Sequence, residues 1–131
     1  MMHTLSADQA ALLPVQHLAW IGDAVYELYC RQELVVGRQL APGQSAQKAA
    51  VALTSAHGQA RVLEKVRSLL TERELDLQRR GRNCKGLPRS SAEYCQATGL
   101  EVVVGWLWLS GQNQRLEALF QTILEVDDSE G

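Results

Sequence analysis

The chain has 131 residues, 46% of them hydrophobic, with three prolines and no low-complexity tract, so it reads as one domain able to bury a core of its own. No basic-then-apolar leader opens it and a charge interrupts each apolar run before transmembrane length, while Cys30, Cys84 and Cys95 are odd in number without CxxC spacing and His3, His17 and His57 are scattered. These features argue against a secreted, membrane, disulfide-stapled or zinc protein and predict a soluble, cytoplasmic one with reduced thiols. The net charge of −2 does not exclude nucleic acid, because the segment Arg61 to Arg89 holds nine Lys or Arg against four acids.

Ser6-Ala-Asp-Gln9 has capping-box spacing and opens a short helix that ends by Pro14. A central helix then runs from about Val15 to about Val36, stopped by Gly37. Arg38 to Pro42 is a connection, and Gly43 to about Leu70 is rich in helix formers, as one long helix or as two broken near Ser55 to Gly58. Thr71-Glu-Arg-Glu74 is a second capping box, heading a short helix that runs out into the basic loop Arg79-Arg-Gly-Arg-Asn83 and on through Arg89. Ser90-Ser-Ala-Glu93 is a third, opening a helix that Gly111 ends. Val102 to Trp108 is β-branched and aromatic enough to be a buried strand, but its length and cap favour helix and no other segment offers it a strand partner. Asn113 caps a last amphipathic helix with Leu116, Leu119, Phe120, Ile123 and Leu124 inward. The domain spans 1–125, and 126–131 reads as an acidic disordered tail.

Two of these segments carry the chemistry. In Leu18 to Cys30 only Gly22, Asp23 and Glu27 are not apolar or aromatic, and in Ala97 to Leu109 the one charge is Glu101, between Gly99 and Gly105. A helix apolar on nearly every side is buried, and a carboxylate in it is costly unless paired. Ala19, Asp23 and Glu27 share a helix face, as do Thr98, Glu101 and Gly105. Crossing the two helices near Gly22 and Gly105 brings Asp23 towards Glu101. Two carboxylates in a partly apolar site call for a cation, for which Mg²⁺, content with one or two carboxylates, waters and phosphate oxygens, is the natural candidate. On composition alone, Asp23 paired with an arginine is as good a reading.

Leu18-Ala-Trp-Ile-Gly-Asp-Ala-Val-Tyr-Glu27 resembles the signature helix of the ribonuclease III catalytic domain. Together with Arg79-Arg-Gly-Arg-Asn83 and Thr98-Gly-Leu-Glu-Val-Val-Val-Gly-Trp-Leu-Trp-Leu109, in this order and spacing, the resemblance is closest to the mini-ribonuclease III branch, which lacks a separate double-stranded-RNA-binding domain. It covers roughly His17 to Leu119. It implies an all-α, homodimeric helical bundle that cleaves double-stranded RNA with Mg²⁺, Mn²⁺ being able to substitute, in the maturation of large-subunit (23S) ribosomal RNA precursor, where ribosomal proteins could present the substrate. Asp23 and Glu101 fall on family metal ligands and are the expected catalytic pair. The larger enzymes carry two further acids one turn earlier, where this chain has Ala19 and Thr98. Arg79, Arg80, Arg82, Lys85 and Arg89 are the expected phosphate contacts, with Lys48 a weaker one.

Glu27 lies four residues before Arg31 and reads as an ordinary helix ion pair. Trp20, Trp106 and Trp108 suit core or dimer contacts better than base stacking. The alternative function is a non-catalytic duplex-RNA-binding dimer acting as a ribosome-assembly adaptor. A small helical protein-interaction module is a third, which leaves the basic segment and both lone acids unused.

Overall fold

A computed structural model describes residues 4–83 and 92–130, with side chains to residue 125. Its regular structure among these residues is helical: α1 (Ala7–Ala11), α2 (Val15–Gln32), α3 (Gln44–Thr54), α4 (Ala56–Val66), α5 (Glu72–Arg82), α6 (Ala92–Leu109) and α7 (Asn113–Glu130), with a π turn over Glu33–Gly37 and a 3-10 turn over Arg67–Leu69. The run Val102 to Trp108 is therefore helix. Lys85, Arg89 and the Ser90 capping box lie outside the described residues.

α6 is the axis of the bundle. Leu100, Val102, Val103, Val104 and Leu107 point in different directions around it and are all fully buried, because α2, α4 and α5 pack along its length. α7 adds Leu116, Leu119, Phe120 and Ile123 to the same core. Phe120 stands edge-on to Tyr26, with ring centroids 5.3 Å apart, and stacks on Tyr29 at 4.3 Å, locking α7 to α2.

The helix starts follow the local signals. Ser6 and Thr71 both close capping boxes: Ser6 Oγ accepts from the Gln9 amide at 3.1 Å, and Thr71 Oγ1 from the Glu74 amide at 3.1 Å. The α3–α4 segment breaks at Ser55, whose hydroxyl accepts from the Gly58 amide at 3.1 Å and heads a new helix. Two expectations are corrected. Arg79, Arg80, Gly81 and Arg82 are not a loop but the last turn of α5. Gly81 is there for close approach: a Cβ on it would come within 2.8 Å of the Gly99 Cα, so the glycine expected in a loop is a helix–helix contact. Nor is α2 buried on every side, because Trp20 is 76% and Leu28 56% exposed, with Ala24 exposed between them, an outward apolar stripe at i, i+4 and i+8.

One polar tie closes the bundle at the α5–α7 side. Glu74, 1% exposed, takes two hydrogen bonds from Arg115, Nη2 to Oε1 at 2.7 Å and Nε to Oε2 at 2.9 Å. Burial raises the Glu74 carboxyl, but the Arg115 and Thr71 hydrogen bonds outweigh it and hold it below its ordinary value.

Candidate active site

The crossing of α2 and α6 sets the site. An ideal Cβ on Gly22 would lie 1.7 Å from the Glu101 carbonyl oxygen, and one on Gly105 would lie 2.0 Å from the Leu18 carbonyl oxygen. Each glycine thus receives the other helix's backbone where any side chain would hold it off. Asp23 follows Gly22 directly, and Glu101 sits one turn before Gly105, so the contact that brings the helices together delivers both acids to one place.

There the Asp23 and Glu101 side chains are hydrogen-bonded to each other. Asp23 is exposed and Glu101 half-buried, so the pair opens to solvent on the Asp23 side. Burial, the hydrogen bond and negative charge of Asp23, and the charge of Glu27 push the Glu101 carboxyl up to about 8, against a hydrogen bond from Gln59 that favours its ionised form. In the metal-free protein at neutral pH, Glu101 therefore holds a proton and shares it with Asp23. The side chains that weigh most on that carboxyl are Asp23, Gln59 and Glu27, none of them a cation. Glu27 makes its expected ion pair, Arg31 Nη2 to Oε1 at 3.3 Å.

The donor set suits a hydrated divalent cation better than a protein-caged one. Two adjacent carboxyl groups that oppose each other's ionisation are what such an ion relieves, while no cluster of three or more His, Cys, Asp or Glu forms a full cage among the described residues. The positions one turn before each acid contribute no ligand. Ala19 has no donor, and Thr98 Oγ1 donates to the Tyr94 carbonyl of its own helix at 2.9 Å.

Sequence reasoning overlooked Gln59. It is 1% exposed on α4, its Nε2 donates to the Thr54 carbonyl at 3.2 Å, and its side chain also bonds Glu101. The signal was its spacing from Val62, Leu63 and Val66, i, i+3, i+4 and i+7, which puts a polar residue on the buried face of an amphipathic helix.

Of the basic candidates, Arg79 and Arg82 stand exposed at the end of α5. Arg80 is half-buried and donates from Nη1 to the Ala11 carbonyl at 2.9 Å, tying α5 to α1. Lys48 is exposed on α3, lining an open depression with Gln44, Gln47 and Val51.

Residues 16–112 of this all-α bundle match the model of the ribonuclease III domain family, to which the chain belongs. Its relatives are more particular. A mini-ribonuclease 3 of Symbiobacterium thermophilum is 41% identical over 113 residues, spanning 83% of this chain and 86% of the relative. One of Synechococcus sp. is 40% identical over 122 residues, spanning 91% and 86%. A crystal structure of a Fusobacterium nucleatum protein superposes with a TM-score of 0.71 at 28% identity, over 87% of this chain and 91% of that one. The chain is thus an endoribonuclease of the mini-ribonuclease 3 type.

Proposed function

We propose that this endoribonuclease cleaves double-stranded RNA with a divalent cation, Mg²⁺ or in its place Mn²⁺, held by Asp23 and Glu101, and that its cellular task is the cytoplasmic maturation of 23S ribosomal RNA precursor. The observation that carries the reading is the Asp23–Glu101 contact at the α2–α6 crossing. A protein that only bound RNA would gain nothing from two acids pressed together where a phosphate must approach, which speaks against the adaptor.

A divalent cation bound there supplies charge neutralisation for the scissile phosphate and a more acidic water for in-line attack. The chain's own residues do the rest. Asp23, on the open side, faces incoming substrate. Glu101 gives its proton to solvent before it can serve as a ligand. Gly22 and Gly105 fix the two acids relative to each other, and waters and phosphate oxygens stand in for the ligands that Ala19 and Thr98 do not provide.

Duplex RNA presents phosphates and 2′-hydroxyls across a wide minor groove, which suits recognition by exposed cations. Arg79, Arg82, Lys85 and Arg89 serve as phosphate contacts, while Arg80 adds its charge from a position anchored to α1. The outward stripe Trp20, Ala24 and Leu28 is the face on which a second copy closes, giving a two-fold dimer with one site for each RNA strand. Ribosomal proteins that present the precursor complete the partners.

The direct test is incubation of the purified protein with end-labelled duplex RNA, with single-stranded RNA as control. Cleavage of the duplex alone, abolished by chelator and restored by Mg²⁺, is expected. Salt-sensitive duplex binding without cleavage in Mg²⁺ or Mn²⁺ would instead support the non-catalytic adaptor.

A further inference from the structure

Gln59 is the buried amide closest to the chemistry, and half of its hydrogen-bonding capacity has no structural use. Nε2 has two hydrogens, and both are spent: one on the Thr54 carbonyl at 3.2 Å, the other on Glu101. Oε1 is buried and finds no donor among the described residues. An orphaned buried acceptor is costly, and α4 could close on α3 without it, since the Ser55 cap and the Thr54 bond need no acceptor on Gln59. The orphan belongs to the side chain that bonds Glu101, which in turn is hydrogen-bonded to Asp23.

We propose that Gln59 is a positioning residue of the active site: its amide fixes the Glu101 carboxylate towards Asp23 through Nε2 and offers Oε1 to the hydration shell of the cation. Both functions follow from one side chain held by the Thr54 carbonyl, which sets the amide's orientation and so decides which end faces the acid. A neutral amide suits this position. It orients Glu101 without adding a third acid to the Asp23–Glu101 pair. In a site with only two protein carboxylates, the fixed orientation of each weighs heavily on affinity.

The inference rests on the reading that Asp23 and Glu101 hold a divalent cation, and the experiment separates the two. Mn²⁺ alone is titrated into full-length protein, with bound ion read by electron paramagnetic resonance and melting temperature measured on the same samples. Native protein binds Mn²⁺ and Asp23→Asn loses it; failure of either result overturns the cation reading and this inference with it. Gln59→Met keeps the side-chain length and removes both polar ends, and Gln59→Asn keeps the amide but withdraws it by one methylene. Each is expected to weaken Mn²⁺ binding by about tenfold or more while melting near the native temperature. Native Mn²⁺ affinity in either folded variant overturns the inference and leaves Gln59 as a tie between α3 and α4. Should Gln59→Met not fold, Gln59→Asn alone decides.

Discussion

Glu101 is protonated at neutral pH in the metal-free protein because burial and the adjacent Asp23 carboxylate both oppose its charge. Its carboxyl sits at about 8 when folded and near 4.5 when unfolded, so between those values the folded state binds the extra proton. Stability in chelator therefore falls as pH rises from about 4.5 to about 8, and Glu101→Gln flattens that slope, as thermal melts across the range will show. Glu74 has the opposite sign. Its carboxyl is held below the ordinary value, so its contribution is present above the unfolded value and is lost as pH falls through the folded one. Arg115→Met leaves that carboxylate buried with only Thr71 and should cost about 3 kcal/mol in denaturant unfolding. The approach of Asp23 to Glu101 was legible in the sequence because both sit in apolar runs, Asp23 directly after Gly22 and Glu101 four residues before Gly105, the two glycines at which the helices cross. Gln59 was not, since it is one of several glutamines between Gln44 and Gln59, and only its phase relative to Val62 and Leu63 marks it as buried.

At the scale of elements, the α2–α6 crossing depends on two missing methyl groups. Gly22→Ala would drive a Cβ into the Glu101 carbonyl, which is backbone and cannot step aside. The helices must part, at a cost of about 3 kcal/mol or more, and cleavage should fall further than stability does because the acids separate. Helix starts were readable wherever a side chain closes a capping box, as at Ser6 and Thr71. The α5 end was not, because a glycine that breaks a helix and one that admits a neighbouring helix look the same in sequence, and Gly81 is of the second kind. Central-helix exposure was illegible for a related reason. Trp20, Ala24 and Leu28 are apolar whether a core or a second copy covers them, and the isolated fold leaves them outside. Trp20→Asp should convert a dimer to a folded monomer in sedimentation experiments, and an unchanged native mass would remove this face from the interface.

For the whole molecule, a net charge of −2 conceals a division between an acidic pair at the helix crossing and cations at the end of α5. RNA affinity should fall linearly on a log scale with salt, and Arg82→Ala should weaken binding to duplexes of any sequence while lowering that slope by about one. The measurement that bears most directly on the account is single-turnover cleavage of an end-labelled duplex at saturating Mg²⁺ by native protein, Asp23→Asn and Glu101→Gln, with duplex affinity measured in parallel in Ca²⁺. The account predicts that each variant binds duplex as tightly as native protein and cleaves it about a thousandfold more slowly or less, with the double variant little worse than either single one. Cleavage within about tenfold of the native rate by either folded variant would contradict it, because the pair at the α2–α6 crossing would then not be where the phosphodiester is broken.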